Sequence, residues 1–204
     1  AIAAGSGQTG GSTLKLDGER ISGHMTGALD CGAATHVLAF LADGRPALVD
    51  AKASGIQIAS HRSLDRTRPI SSIAFDNARA FVLGAANDPQ AVATRVVDAG
   101  RVILAADTLG AAQSMFDKAV AYSKERIQFN RVIGSFQGVK HTLAELVTML
   151  EPCRSMVWYA AHAQDAVPEE ARLMALQAKA HLGDVGREVG RLSTEVHGGM
   201  GFTD

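Results

Sequence analysis

Two short segments of this chain combine residue types that could do chemistry. The first is Arg126-Ile127-Gln128-Phe129-Asn130-Arg131-Val132-Ile133-Gly134-Ser135-Phe136-Gln137. Arg126 closes a long helical pattern, and two readings of it stay open. A cation there complements the negative end of the helix dipole and covers terminal carbonyls. Alternatively its planar guanidinium grips a phosphate in a bidentate fork, with the Gln128 and Gln137 amides as neutral hydrogen-bonding groups. Phe129 and Phe136 read as core residues rather than stacking platforms. The second segment is Glu195-Val196-His197-Gly198-Gly199-Met200-Gly201-Phe202-Thr203, where a helical pattern meets a glycine cluster. A helix C-cap accounts for one glycine. The others suggest a backbone that comes very close to something, such as a ligand phosphate or adenine.

A third pattern is discounted. Gly5-Ser6-Gly7-Gln8-Thr9-Gly10 matches the dinucleotide fingerprint Gly-x-Gly-x-x-Gly. That fingerprint works between a strand and a helix, whereas the stretch after Gly10 is strand-like, so a flexible lead-in or hairpin is expected. The seven histidines show no metal-ligand spacing, and no metal site is expected. Cys31 and Cys153 lack the spacing of a disulfide framework or zinc site, and no secretory leader is recognised, which suits a reducing cytoplasm.

The elements that position these corners can be read from turn and cap signals. From Thr13 to about Leu83, the stretches Thr13–Leu16, Thr35–Leu41, Ala47–Val49 and Ile70–Phe75 alternate with Asp17-Gly18, Asp43-Gly44 and Ser54-Gly55. This predicts short antiparallel strands in a β-domain over 1–84. At Asp88-Pro89 a helical half begins, with Asp88 as cap and Pro89 in the first turn. Pro89 to about Arg126 predicts a helix of ~38 residues and ~57 Å. Two more helices are predicted from Phe136 to about Asp165 and from Pro168 to about His197, the last with Glu169 and Glu170 in its first turn. Strands first and then helices give an α+β chain: a small antiparallel β-domain, then a long-helix up-down bundle over 85–204.

Bulk properties narrow the partners. Hydrophobic residues make up 47% of the 204 residues, enough for a packed core. Twenty basic against 21 acidic residues leave a net charge of −1, so no nucleic acid or anionic membrane is expected as partner. No apolar run approaches the roughly 18 residues needed to cross a bilayer.

Both corners in this order, separated by two long helices and preceded by a β-domain, resemble the acyl-CoA dehydrogenase family. The family's Tyr, Arg-x-Gln-Phe-Gly and Phe-Gln pattern is met by Tyr122, Arg126, Gln128, Phe129, Phe136 and Gln137, and its Gln-x-x-Gly-Gly-x-Gly-Phe pattern by Glu195 to Phe202. Leu64–Pro69 and Ile73–Asp76 resemble the last strands of its middle domain. The family plan extends beyond both ends of this chain, which is therefore read as truncated at both ends.

The resemblance implies FAD-dependent α,β-dehydrogenation of an acyl-CoA thioester to a 2-enoyl-CoA, with an electron-transferring flavoprotein as acceptor. It implies that Arg126 binds the FAD pyrophosphate, that Gln128, Phe129, Phe136 and Gln137 shape the adenosine side, and that Glu195, Gly198 and Gly199 approach the ADP part. The cofactor then belongs to a neighbouring subunit, giving a homo- or hetero-dimer or a tetramer. Three departures are visible: Asn130 for the glycine after Gln-Phe, Glu195 for glutamine, and Leu29-Asp30 where relatives carry Trp-x-Thr. The catalytic base is unknown. Asp107 on the long helix is a candidate, although a solvated or packed aspartate is the favoured reading. A non-catalytic structural subunit and an acyl-CoA oxidase remain as alternatives.

Overall fold

The computed structural model describes residues 13–84 and 87–203. The Gly5–Gly10 pattern lies outside the described residues. Contacts divide the chain into two compact units, Ala1–Val97 and Asp98–Asp204.

The first unit carries two antiparallel sheets. One has the order β1-β2-β6-β5, from Thr13–Asp17, Arg20–Leu29, Ile70–Arg79 and Ile56–Ser60; the other has β3-β4-β7, from His36–Phe40, Pro46–Asp50 and Phe81–Val82. Inward residues of both sheets form one core, including Ile21, Met25, Val37, Val49, Ile73 and Phe75. In β2 the buried residues are Ile21, Met25 and Ala28, spaced four and three apart instead of two. The step of four keeps the ordinary alternation, whereas the step of three coincides with a register slip between Met25 and Ala28 that puts an extra residue in β2; a second slip, between Ile21 and Gly23, puts the extra residue in β6 between Phe75 and Ala78. The turn at Gly55 demands glycine: its φ is +85°, and a Cβ would strike the Asp76 carbonyl oxygen.

One expectation is corrected here. Leu64–Pro69 is a loop, not a strand. The Asp65 carboxylate accepts hydrogen bonds from the Thr67 backbone N–H and hydroxyl at 2.9 and 2.6 Å, a local closure that competes with a sheet ladder. Leu64 consequently stands fully exposed.

The helical part follows its cap signals closely. Helix α1 spans Pro89–Glu125, and the Asp88 carboxylate accepts the Ala91 N–H at 3.0 Å. Helix α2 spans Gln137–Ala166, and α3 spans Pro168–His197 with Glu169 and Glu170 in its first turn. Within the second unit, Val102, Ala105, Leu109 and Ala112 of α1 join Leu146, Leu150, Cys153 and Val157 of α2 and Ala178, Leu182, Val185 and Val189 of α3 in one core. The spacing of three and four keeps one stripe of each helix inward. Small residues set the approach of α3 to α1: a Cβ on Gly186 would lie 2.6 Å from the Thr108 methyl. Asp98 is buried and is held by Arg101 and by Arg172, the latter at 3.7 Å.

Candidate functional site

The Arg126 corner is a two-stranded ribbon between α1 and α2. Ile127–Gln128 (β8) pairs with Arg131–Val132 (β9), leaving Phe129 and Asn130 as a two-residue loop. Their φ angles are 50° and 61°, and positive φ at both central residues is what a type I′ hairpin turn requires. Asn130 takes the left-handed region readily, as expected from its side chain. Phe129 does not, and it is 85% exposed. The expectation that Phe129 is a core residue is thereby corrected: a two-residue turn has no interior, and the turn geometry throws the ring into solvent. Phe136 is half-buried, with the Phe129 ring edge-on at 6.0 Å and the Arg131 guanidinium 3.9 Å above it.

Arg126 itself is exposed. Its backbone N–H donates to the Tyr122 carbonyl at 2.9 Å and its carbonyl accepts from Ile133 at 2.8 Å. Among the described residues its guanidinium has no hydrogen bond or ion pair, so the helix-capping reading lacks a contact. Gln128 is exposed and donates to the neighbouring Ile127 carbonyl at 2.8 Å. Gln137 is exposed at the first position of α2, where the first backbone N–H groups have no helical acceptor and present a partial positive charge.

The glycine corner has a different logic at each position. Gly198 terminates α3 with φ 59° and ψ −140°, a conformation close to glycine-only backbone. Gly201 is required by packing, since a Cβ there would lie 2.5 Å from the Thr194 carbonyl oxygen. Gly199 has open space where a Cβ would be, so neither reason applies to it. The Glu195 carboxylate accepts from Arg191 at 2.7 Å, and Arg191 also holds Glu188 at 2.6 Å. The Glu188 carboxyl is pulled below its ordinary range, first by that hydrogen bond. The charge that Glu195 would turn toward an anion is therefore offset inside α3. Arg191 was not singled out in the sequence, although its place four residues before Glu195 is the signal for such a pair.

The two corners meet through rings. Tyr122, one turn before Arg126, stacks on His197, the residue before Gly198, with centroids 4.5 Å apart and planes at 28°. Asp107 is not brought to this end. It is exposed on α1, ~28 Å from Arg126 along the helix axis. In the first unit, Leu29 ends β2 and Asp30 sits at φ 56° with its N–H on the Pro69 carbonyl at 3.0 Å, a tight turn in place of the family's Trp-x-Thr. Among the described residues no group of three or more His, Cys, Asp or Glu could hold a metal, and no helix is long and apolar enough to cross a membrane.

Comparison with known proteins decides the lineage. The family model for the C-terminal domain of acyl-CoA dehydrogenases matches residues 90–204. The chain belongs to the acyl-CoA dehydrogenase family. The 3-(aryl)acrylate reductase of Clostridium sporogenes is 34% identical over 137 residues, 66% of this chain and 36% of that protein. The mitochondrial short/branched chain specific acyl-CoA dehydrogenase of Bos taurus is 30% identical over 164 residues, 76% of this chain and 37% of that protein. The structure of butyryl-CoA dehydrogenase from Megasphaera elsdenii, 22% identical, matches with a TM-score of 0.87 over 99% of this chain and 59% of that one. That likeness bears out the α+β fold, antiparallel sheets followed by three long helices. The chain spans little more than a third of the length of these two curated relatives.

Proposed function

We propose that the protein to which this chain belongs is an FAD-dependent acyl-CoA dehydrogenase, converting an acyl-CoA thioester to a 2-enoyl-CoA. The observation that carries this reading is the exposed Arg126 guanidinium, without a partner among the described residues, at a corner that the Tyr122–His197 stack joins to Gly198 and Gly199. A pyrophosphate placed there meets the carbonyl ends of α1 and α3, which carry partial negative charge. A cation is needed to offset them, and Arg126 supplies it in a geometry suited to two phosphate oxygens. The first-turn N–H groups of α2 add to that field. Gln128 and Gln137 offer neutral donors and acceptors to the ribose and adenine side, and Phe129 and Phe136 offer ring faces. Gly199 leaves room for close approach, and Arg191 keeps Glu195 from repelling the phosphates. These residues fit the ADP portion of FAD.

When bound, FAD supplies acceptance of a hydride from the β-carbon of the acyl group. The residues of this chain bind and orient the cofactor. Because the corner faces solvent, we assign it to a cofactor shared with a neighbouring subunit, in a homo- or hetero-oligomer. An electron-transferring flavoprotein is the proposed acceptor and the cytoplasm the proposed location.

The test is spectroscopic. The full-length protein, alone and co-expressed with any homologous subunit, is loaded with FAD and freed of excess. Flavin absorbance that bleaches anaerobically with an acyl-CoA, with formation of the enoyl-CoA, is the expected result. Bound flavin that no acyl-CoA bleaches makes the protein a non-catalytic subunit, and peroxide release under air makes it an oxidase. Failure to hold flavin in both preparations overturns the reading.

A further inference from the structure

The Arg126 corner and the glycine corner lie on helices separated in sequence by the whole of α2, yet each adjoins one residue of the same stacked ring pair. On α1, the Tyr122 carbonyl receives the Arg126 N–H at 2.9 Å, the first bond of that corner. On α3, His197 Nδ1 lies 2.7 Å from the Ser193 carbonyl oxygen. A carbonyl only accepts, so Nδ1 carries the hydrogen and the ring is oriented by its own helix. The His197 Cβ and the Thr194 carbonyl form the surface on which Gly201 packs, 3.2 and 2.5 Å from where a glycine Cβ would sit. Between the two half-buried rings the centroid distance is 4.5 Å.

We propose that Tyr122 and His197 form a clasp that holds the two corners in one register, so that a ligand ordering one corner orders the other. His197 and Tyr122 are positioning residues in this account. The ligand side of the proposal rests on the FAD reading. The clasp itself is a property of the unliganded chain.

The experiment has two arms on the full-length protein. Amide hydrogen exchange without ligand reads the clasp alone. Tyr122→Ala is expected to speed exchange at 198–202, and His197→Ala at 127–132, each by ~2- to ~12-fold, the worth of one aromatic pair. Tyr122→Phe, which keeps the ring, is expected to leave both segments unchanged, a rescue that a bulk packing role would not require of the ring face. Tyr122→Leu keeps bulk without the ring and stands in should the alanine variant not fold. FAD titration reads the coupling: each single alanine variant weakens binding by the same ~2- to ~12-fold, and the double variant is within about twofold of the weaker single one. Exchange that speeds only on the substituted helix, or single effects that multiply in the double variant, overturns the clasp. Wild-type protein that holds no FAD but shows the exchange pattern overturns the cofactor reading and leaves the clasp standing.

Discussion

Replacing Arg126 with alanine separates a ligand-binding guanidinium from a structural one. The side chain is exposed and has no hydrogen bond or ion pair among the described residues. Its removal therefore leaves no buried partner unsatisfied, and the folding cost stays within about 0.5 kcal/mol. For a unit of this size that is a shift in Tm of less than ~4 °C. Hydrogen bonds to a charged group contribute ~1.5–3 kcal/mol, so loss of the fork on a pyrophosphate weakens FAD binding by ~10- to ~150-fold. Arg126→Lys keeps the charge without the bidentate geometry and should fall between the two. Flavin fluorescence quenching gives the affinity, and scanning calorimetry of the FAD-free protein gives Tm. Affinity within twofold of wild type refutes the phosphate role. A drop in Tm well beyond ~4 °C refutes the claim that the side chain is free of structural duty.

Other consequences can be checked on the same preparations. Phe129 at φ 50° is in a region that costs a bulky residue ~1–2 kcal/mol, partly repaid by the edge contact to Phe136. Phe129→Asn should therefore gain about 0.5 kcal/mol in urea unfolding while weakening FAD binding, and a loss of stability would contradict the strain argument. Asp98 is buried between Arg101 and Arg172, both of which reach solvent. Asp98→Ala should cost ~1–3 kcal/mol, below the ~3–5 of a wholly buried pair, and urea midpoints unchanged from wild type would show that the pair is idle. Glu188 is lowered by the Arg191 hydrogen bond, so its contribution is present above the unfolded glutamate value of ~4.3 and is lost as pH falls through the folded one. Carbon-detected titration of Glu188 should show that depressed value in wild type and its return toward the ordinary range in Arg191→Ala.

Much of this layout was legible in the chain because it depends on local chemistry. Asp88, Pro89 and Pro168 mark helix starts through caps and a pre-set φ, and α1 and α3 begin where those residues say. The motif residues of both corners carried the family resemblance. Features that depend on neighbours in space were not legible. Phe129 is as hydrophobic as any core residue, and only the two-residue turn decides that it faces solvent. Leu64–Pro69 is expected as a strand from the family resemblance alone, and the Asp65 side chain closes it into a loop. Composition changes near residue 84, whereas the compact units part between Val97 and Asp98, because a continuous helix carries backbone across any change in composition. The meeting of Tyr122 and His197 depends on the axial register of α1 against α3. That register is set by small residues such as Gly186 opposite Thr108, a fit between distant surfaces that no local pattern encodes.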